Sequence, residues 1–224
     1  MPVIVAPPSV VPDAPPEQPL LGKGTFAAAS IARNLTVYKQ PDPSHVRYIL
    51  DTRNPFGQEI SMLVTDARRD ASGAAWYEVL LPTAPNDSTG WVKGADIHLT
   101  PEPDKVIVDL SKRTLEHFRG KRLIETFSVG VGLPQFPTTT GTFYIWAHVP
   151  QASPTGPYGI YALGLSGFSK VLTDWPGGGR MAIHGTANPA DRGNMVSHGC
   201  VRVYNPDMQK LRRLPMGTPV IIKR

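Results

Sequence analysis

The sequence predicts a mainly β protein, and both its composition and its residue pattern support this prediction. The 224 residues include 21 glycines and 24 prolines, which are frequent in turns and unfavourable inside helices. Short apolar and aromatic runs separated by turn residues indicate strands along most of the chain. Hydrophobic residues make up 41% and charged residues 18%, which excludes a wholly disordered chain and a coiled coil. We therefore expect a folded protein with little helix.

The first hundred residues divide into a spacer and a small β domain. Residues 1–24 contain seven prolines and predict an extended, partly polyproline spacer, although a frayed terminus fits their composition equally well. Residues 25–100 contain five short runs that are typical of strands. Two of these runs, WYEV at 76–79 and TGWV at 89–92, resemble a bacterial SH3-type domain. Another kind of small β-barrel is the alternative interpretation.

A second domain is expected over residues 104–224. The prolines at 101 and 103 predict a stiff hinge that separates the two parts, because proline fixes φ and removes a backbone donor. The opening runs of this domain predict a β-meander, and its last apolar run predicts a closing strand. One short helix is indicated, with Asn205 as its N-cap and Pro215 at its end.

The charge is unevenly distributed between the two parts. Residues 1–104 have a net charge of −4, and residues 105–224 have a net charge of +9. A basic domain favours an anionic partner, but the chain has no basic helix, RNA-binding signature or zinc-finger pattern. We therefore expect a polyanion other than nucleic acid. No apolar run approaches the ~18 residues that span a bilayer, and the first residues lack a basic signal-peptide start, so neither a membrane span nor an anchor is expected in this sequence.

Two segments of the second domain bring the single cysteine together with two histidines. They are MAIHGT at 181–186 and VSHGCVRV at 196–203. If both are strands, their alternation directs the apolar side chains at 181, 183, 201 and 203 into the core. One face of this pair of strands is then apolar and the other reactive. The reactive face carries His184, His198, Cys200 and Arg202.

These residue types are suited to nucleophilic catalysis. A thiol with an ordinary pKa near ~8.5 is mostly protonated at neutral pH and needs a base or a positive charge beside it. His184 and His198 are the candidates for that base. Gly199 permits a tight turn, so that amides near Cys200 could face an oxyanion. The planar guanidinium of Arg202 could bind a substrate carboxylate.

Two other interpretations of the same residues remain open. A solitary cysteine is more often a small buried apolar residue than a nucleophile, although the flanking histidines and glycine favour a nucleophile here. The second alternative is a zinc site, in which His148 joins His184, His198 and Cys200 as a fourth ligand.

The sequences IHGT at 183–186 and SHGCVR at 197–202 resemble the signature of the L,D-transpeptidase (YkuD) family. The resemblance covers about residues 104–224 and includes PTTTGTF at 137–143, in which Thr139 stands where many members have proline. It implies a β-sandwich-like catalytic domain with one or two short helices. It also implies action on peptidoglycan stem peptides outside the cytoplasmic membrane, in the periplasm or cell wall, with a signal or anchor absent from this sequence.

The resemblance implies a role for each candidate residue. Cys200 would attack the carbonyl of the third stem residue and release D-Ala from position four. Transfer of the acyl group to a third-residue side-chain amine on another stem would form a 3→3 cross-link. His184 would be the general base and acid, and the amides of Gly199 and Cys200 would form the oxyanion hole. The residues that shape the site and hold substrate would be Gly185, Ser197, His198 and Arg202.

The same resemblance implies no cofactor and no metal, and it makes β-lactams of the carbapenem class the expected covalent inhibitors. The first domain would bind or position the enzyme on the cell wall without contributing to the chemistry. Two alternative functions stay open: an L,D-carboxypeptidase, in which water takes the acyl group, and a non-catalytic wall-binding protein. The sequence does not indicate the identity of the third stem residue or the oligomeric state.

Overall fold

The computed structural model describes residues 24–174 and 177–224, and β-strands dominate both stretches. The predicted spacer at 1–24 lies outside the described residues except for Gly24. The strands of the first half are Phe26–Ser30 (β1), Asn34–Tyr38 (β2), Val46–Asp51 (β3), Ser61–Arg69 (β4), Ala75–Leu80 (β5), Thr89–Lys93 (β6) and Ile97–Pro101 (β7).

The second half of the described chain is also mostly strand, with one short α-helix near its end, so the mainly β fold class is confirmed. Within the described residues, no helix has the length and apolar character of a membrane span. The elements are Asp104–Asp109 (β8), Thr114–Arg119 (β9), Arg122–Ser128 (β10), Val131–Gly132 (β11), Gly141–Pro150 (β12), Tyr161–Phe168 (β13), Arg180–Thr186 (β14), Met195–Ser197 (β15), Val201–Tyr204 (β16), Asn205–Leu211 (α1) and Pro219–Lys223 (β17).

The strands of the first half form one sheet in the order β3-β2-β6-β5-β4-β1-β7. A separate aromatic cluster joins Tyr38, Trp76 and Trp91, and the rings of Tyr38 and Trp76 meet edge to face at 5.0 Å. The predicted small β domain is therefore present as a sheet, and its SH3-type nature stays a prediction. Its fully buried core residues include Leu35, Val37, Met62, Tyr77, Val79 and Val92.

The strands of the second half form an eight-stranded sheet in the order β10-β9-β8-β17-β12-β13-β14-β16. The C-terminal strand β17 lies between β8 and β12, and α1 packs Met208 and Leu211 into the core of this half. The predicted helix is confirmed with one difference at its start. Asn205 is the first helical residue rather than the N-cap, and the preceding Tyr204 makes no side-chain cap.

A shared core and two side-chain amides join the halves. Trp146 of β12 packs into the core of the first half. The amide of Gln58 accepts from the His148 N–H at 3.0 Å and donates to the His148 carbonyl at 2.7 Å, as a neighbouring strand would. Asn86 pairs in the same way with the backbone of Phe168, at 2.8 and 2.9 Å.

These contacts show that the prediction of a hinge separating the two parts is wrong. The prolines at 101 and 103 stiffen the connection between β7 and β8, but proline content reports only local backbone freedom. The two amide pairs join residues that are 82 and 90 positions apart in the sequence. Their existence depends on the packing of the whole chain.

Candidate active site

A cavity of about 720 Å³ opens beside β14 and β16, and both Cys200 and His184 line it. The two strands are parallel neighbours, in which Ile183 pairs with Val201 and His184 with Arg202. The predicted apolar face is confirmed, because the side chains at 181, 183, 201 and 203 are at most 2% exposed. Strand pairing therefore brings the two sequence motifs together at one cavity.

The chain between β15 and β16 turns at Gly199 instead of continuing as one strand. Gly199 has a φ of +115°, which residues with a Cβ rarely adopt. Ser197 Oγ closes the turn, because it accepts from the Gly199 N–H at 3.1 Å and donates to the Cys200 carbonyl at 2.5 Å. The Gly199 amide is thus engaged within the turn, in contrast to the oxyanion role that the resemblance implies for it.

The same turn separates His198 from the strand that follows Cys200. The His198 ring lies 4.8 Å from the ring of Phe136 and is tilted by 39° to it, and it still lines the cavity. The prediction that His198, Cys200 and Arg202 share one strand face is wrong. Side chains alternate only along an unbroken strand, and the backbone at Gly199 interrupts this one.

His184 is held as a neutral base. Its side chain is 3% exposed, and burial lowers its pKa to about 4. Nδ1 lies 2.9 Å from the carbonyl oxygen of Gly185. Since a carbonyl only accepts, Nδ1 carries the proton and Nε2 keeps its lone pair. Gly185 therefore shapes the site through its carbonyl, and a Cβ at this position would lie 2.5 Å from Asn205 Oδ1.

Tyr158 covers His184 and was missed by sequence reasoning. The two ring centroids are 5.1 Å apart and the rings are nearly perpendicular, at 84°. The loop that carries Tyr158 is tied to the start of α1, because Asn205 donates to the Pro154 carbonyl at 2.8 Å and accepts from the Ile160 N–H at 3.1 Å. The available sequence signal is an aromatic residue within a loop rich in glycine and proline.

Cys200 is half-buried, and its environment keeps the thiol protonated. Burial raises the pKa of Cys200 above its ordinary value, and a hydrogen bond with the Ala182 backbone and the charge of Arg202 oppose this effect only in part. Because His184 is also neutral, the resting pair is a thiol and an imidazole rather than a thiolate and an imidazolium. A nucleophilic role for this thiol would therefore require a group that removes its proton.

Arg202 already binds a carboxylate of the protein itself. Its Nη1 donates to Asp191 Oδ2 at 3.2 Å, and the buried Asp191 also accepts from Thr186 Oγ1 at 2.8 Å and Asn188 Nδ2 at 3.1 Å. This ion pair fixes β16 against the loop after β14. The partner lies 11 positions away, at the end of the single 3-10 turn Pro189–Asp191, and a segment this short has no periodicity that could indicate the contact. Arg202 also lines the cavity, and its role in holding a substrate carboxylate stays a prediction.

The first half contributes to the cavity wall. Pro55 and Phe56 line the cavity, and Phe56 is 55% exposed. Asn54 holds their loop against β12, because its side chain donates to the Trp146 carbonyl at 3.1 Å and accepts from the Phe56 N–H at 3.0 Å. The first half is therefore not separate from the site, contrary to the sequence-based expectation.

The side chains of the zinc alternative do not form a ligand group. In residues 24–174 and 177–224, no three His, Cys, Asp or Glu side chains are grouped so that they could hold a metal ion. The proposed fourth ligand, His148, has its Nδ1 3.1 Å from the hydroxyl of Tyr161. The described residues therefore give the zinc interpretation no support.

Comparison with known proteins identifies relatives of this chain. YkuD of Bacillus subtilis (strain 168) is 35% identical over 152 residues, which are 65% of this chain and 85% of that protein. The crystal structure of an Enterococcus faecium L,D-transpeptidase aligns with 55% of this chain and 50% of its own, at 23% identity and a TM-score of 0.43. The catalytic domain of the E. faecium enzyme, acylated by ertapenem, aligns with 55% of this chain and 98% of its own, at 23% identity and a TM-score of 0.41.

A family model provides the most direct assignment. Residues 103–222 match the YkuD model, which describes the L,D-transpeptidase catalytic domain. The matched range contains both sequence motifs and every strand that lines the cavity around Cys200 and His184. Because this match spans more than half of the chain, the protein belongs to the YkuD family of L,D-transpeptidase catalytic domains.

Proposed function

We propose that this protein is a peptidoglycan L,D-transpeptidase that forms 3→3 cross-links through an acyl-enzyme on Cys200. The observation that carries the proposal is the pairing of Cys200 and His184 at one cavity, with the imidazole proton held on Nδ1 by the Gly185 carbonyl. A base needs a free lone pair and a pKa below the working pH. His184 meets both requirements at neutral pH.

The proposed first half-reaction follows from this arrangement. His184 Nε2 takes the thiol proton while the Cys200 sulfur attacks the carbonyl of the third stem residue. The oxyanion is stabilised by the Cys200 amide, because the Gly199 amide is already engaged by Ser197. The imidazolium returns its proton to the nitrogen of D-Ala as the C–N bond breaks. The products are free D-Ala and a thioester on Cys200.

The second half-reaction transfers the acyl group to the acceptor. The side-chain amine of a third residue on another stem attacks the thioester, and His184 accepts the proton that the amine loses. The C–S bond breaks, the thiol regains its proton from His184, and an amide cross-link remains. Attack by water in place of the amine would give an L,D-carboxypeptidase, so access of the acceptor decides between the two activities.

We also propose that carbapenems acylate Cys200, since the strained lactam carbonyl is a substitute for the scissile amide. The proposed place of action is outside the cytoplasmic membrane, in the periplasm or cell wall, where the stem peptides are found. The sheet of the first half, predicted to be SH3-like, is proposed to bind the wall as well as to complete the cavity.

Mass spectrometry of muropeptides after incubation with the purified protein tests the proposal. We expect cross-linked dimers with the wild type and none with Cys200→Ala. Trimmed monomers without dimers would identify a carboxypeptidase instead. Intact mass should show one carbapenem adduct on the wild type and no adduct on Cys200→Ala, and turnover or acylation by that variant would show that Cys200 is not the nucleophile. Binding to sacculi with neither turnover nor acylation by the wild type would favour the non-catalytic alternative.

A further inference from the structure

Two arginines line the cavity, and they differ in their partners. Arg202 is neutralised by the ion pair with Asp191. No Asp or Glu of the described residues lines the cavity, and in the same part of the chain no carboxylate lies within ion-pair distance of Arg180. Arg180 therefore brings an uncompensated positive charge to the wall of the site.

The guanidinium of Arg180 is held in place by two backbone carbonyls and two aromatic rings. Its Nη1 donates to the Leu165 carbonyl and its Nη2 to the Pro82 carbonyl, each at 3.1 Å. Its Cζ lies 3.7 Å from the ring centroid of Trp146 and 4.3 Å from that of Phe168. These two carbonyls use two of the five guanidinium N–H donors. A ligand would therefore meet a preorganised cation and would lose little side-chain entropy by binding to it.

The charge of Arg180 persists at neutral pH although the side chain is half-buried. Burial lowers the pKa of Arg180 to about 10, which still leaves the group protonated at pH 7. Carbonyl dipoles and aromatic rings stabilise a cation without neutralising it. A partly desolvated cation without a counter-ion gains more from a carboxylate than an exposed one does.

The position of Arg180 on β14 determines where it lies relative to the Cys200 thiol. Arg180, Ala182 and His184 follow one another on the side of β14 opposite the core residues. In the register of β14 with β16, Ile183 pairs with Val201, so Ala182 lies beside Cys200. Neighbours on one side of a strand are ~6.5–7 Å apart, so Arg180 lies beyond the thiol on the side away from the base. A peptide whose scissile carbonyl is at Cys200 reaches Arg180 if it runs along β14 away from His184.

We propose that Arg180, rather than Arg202, binds a carboxylate of the donor stem peptide. This inference rests on the proposed function. Two carboxylates fit the chemistry: the terminal carboxylate of the leaving residue and the side-chain carboxylate of a diaminopimelate at the third position. Both would pair with the free guanidinium edge through charge-assisted hydrogen bonds.

Calorimetric binding to Cys200→Ala protein tests the inference without requiring turnover. The probes are a synthetic tetrapeptide stem with meso-diaminopimelate at position three and two analogues, each with one of the two carboxylates converted to a carboxamide. We expect one of the two amidations to weaken binding by about 10-fold or more, and its position identifies the carboxylate. Adding Arg180→Gln should remove this penalty, and Arg180→Lys should reduce it. The matched control, Arg122→Gln, removes an exposed charge outside the cavity and should leave the penalty intact.

The inference is overturned if Cys200→Ala binds all three peptides equally or binds none of them, or if the penalty persists in folded Arg180→Gln. Where Arg180→Gln does not fold, Arg180→Lys decides: a reduced penalty supports the inference and an unchanged penalty overturns it. If Arg180 only supported the structure, Arg180→Gln would weaken the binding of all three peptides by the same factor, and the difference between them would remain. Failure of the proposed function would instead appear as absent muropeptide turnover by the wild type, whatever the binding preference.

Discussion

The two halves of the molecule contribute to the cavity in different ways. The second half supplies His184 from β14 and Cys200 from the position directly before the neighbouring β16, within two short motifs. The first half supplies Phe56 from a loop and the Pro82 carbonyl that holds Arg180, through pairs more than 90 positions apart in the sequence. The chemistry is therefore local in the sequence, whereas the shape of the cavity depends on tertiary packing. The two kinds of contribution should respond differently to mutation.

Removal of the first half should have the largest effect on both stability and acylation. A fragment of residues 104–224 would expose Tyr144 and Trp146, which are 0% and 7% exposed in the intact chain. Burial of each aromatic side chain contributes about 1.5–3 kcal/mol, so the fragment should melt at a clearly lower temperature. It should also react with a carbapenem roughly 10-fold more slowly or worse, because Arg180 loses a carbonyl that orients it.

Circular dichroism and intact mass measure the folding and the acylation of this fragment. A folded fragment that reacts at the rate of the full chain would show that the second half is sufficient for the chemistry. The first half would then only position the enzyme on the wall, as the sequence alone suggests.

Loss of the hydrogen bonds between the Gln58 amide and the His148 backbone should have a smaller effect on stability. Gln58→Ala leaves the N–H and carbonyl of His148 without the amide that pairs with them, and we expect the free energy of unfolding to fall by about 1–3 kcal/mol. The matched control is Gln40→Ala, whose exposed amide contacts the exposed His45, and it should change stability by less than about 0.5 kcal/mol. Urea unfolding measures both variants, and an equal fall in their free energies of unfolding would show that the Gln58 amide does not stabilise the contact between the halves.

Phe56 should affect substrate binding rather than the chemical step. Phe56→Ala should raise KM for a muropeptide donor by about 3- to 10-fold with little change in kcat, because the apolar contact is equal in the ground and transition states. Ile49→Ala is the control, since Ile49 is 65% exposed in the same half and lies outside the cavity. A fall in kcat at constant KM would instead give Phe56 a role in positioning the reacting groups.

The meeting of Cys200 and His184 at one cavity could be predicted from the sequence because it is set by local geometry. Alternation along β14 and β16 identifies the core residues at 181, 183, 201 and 203, and the paired motifs identify Cys200 and His184. The position of His198 could not be predicted in this way, since it depends on the left-handed backbone at Gly199. A glycine permits that conformation but does not require it.

The contacts of the arginines could not be predicted for a different reason. The partner of Arg202 is Asp191, at the end of the 3-10 turn Pro189–Asp191, and one partner of Arg180 is Pro82, which is 98 positions away. The sequence motif indicated only Arg202 as a carboxylate ligand and gave no signal for Arg180, because the position of Arg180 in the cavity wall depends on packing. The same holds for Tyr158, which reaches His184 because Asn205 fixes its loop.

The pH dependence of carbapenem acylation tests most directly the claim that neutral His184 activates Cys200. The second-order rate should rise through about pH 4, where His184 loses its proton, and then stay level to neutrality. His184→Ala should be slower by at least ~10²-fold and should lose this acidic limb, whereas folded His198→Ala should keep it. An acidic limb that persists in His184→Ala and disappears in His198→Ala would contradict the account and exchange the two roles.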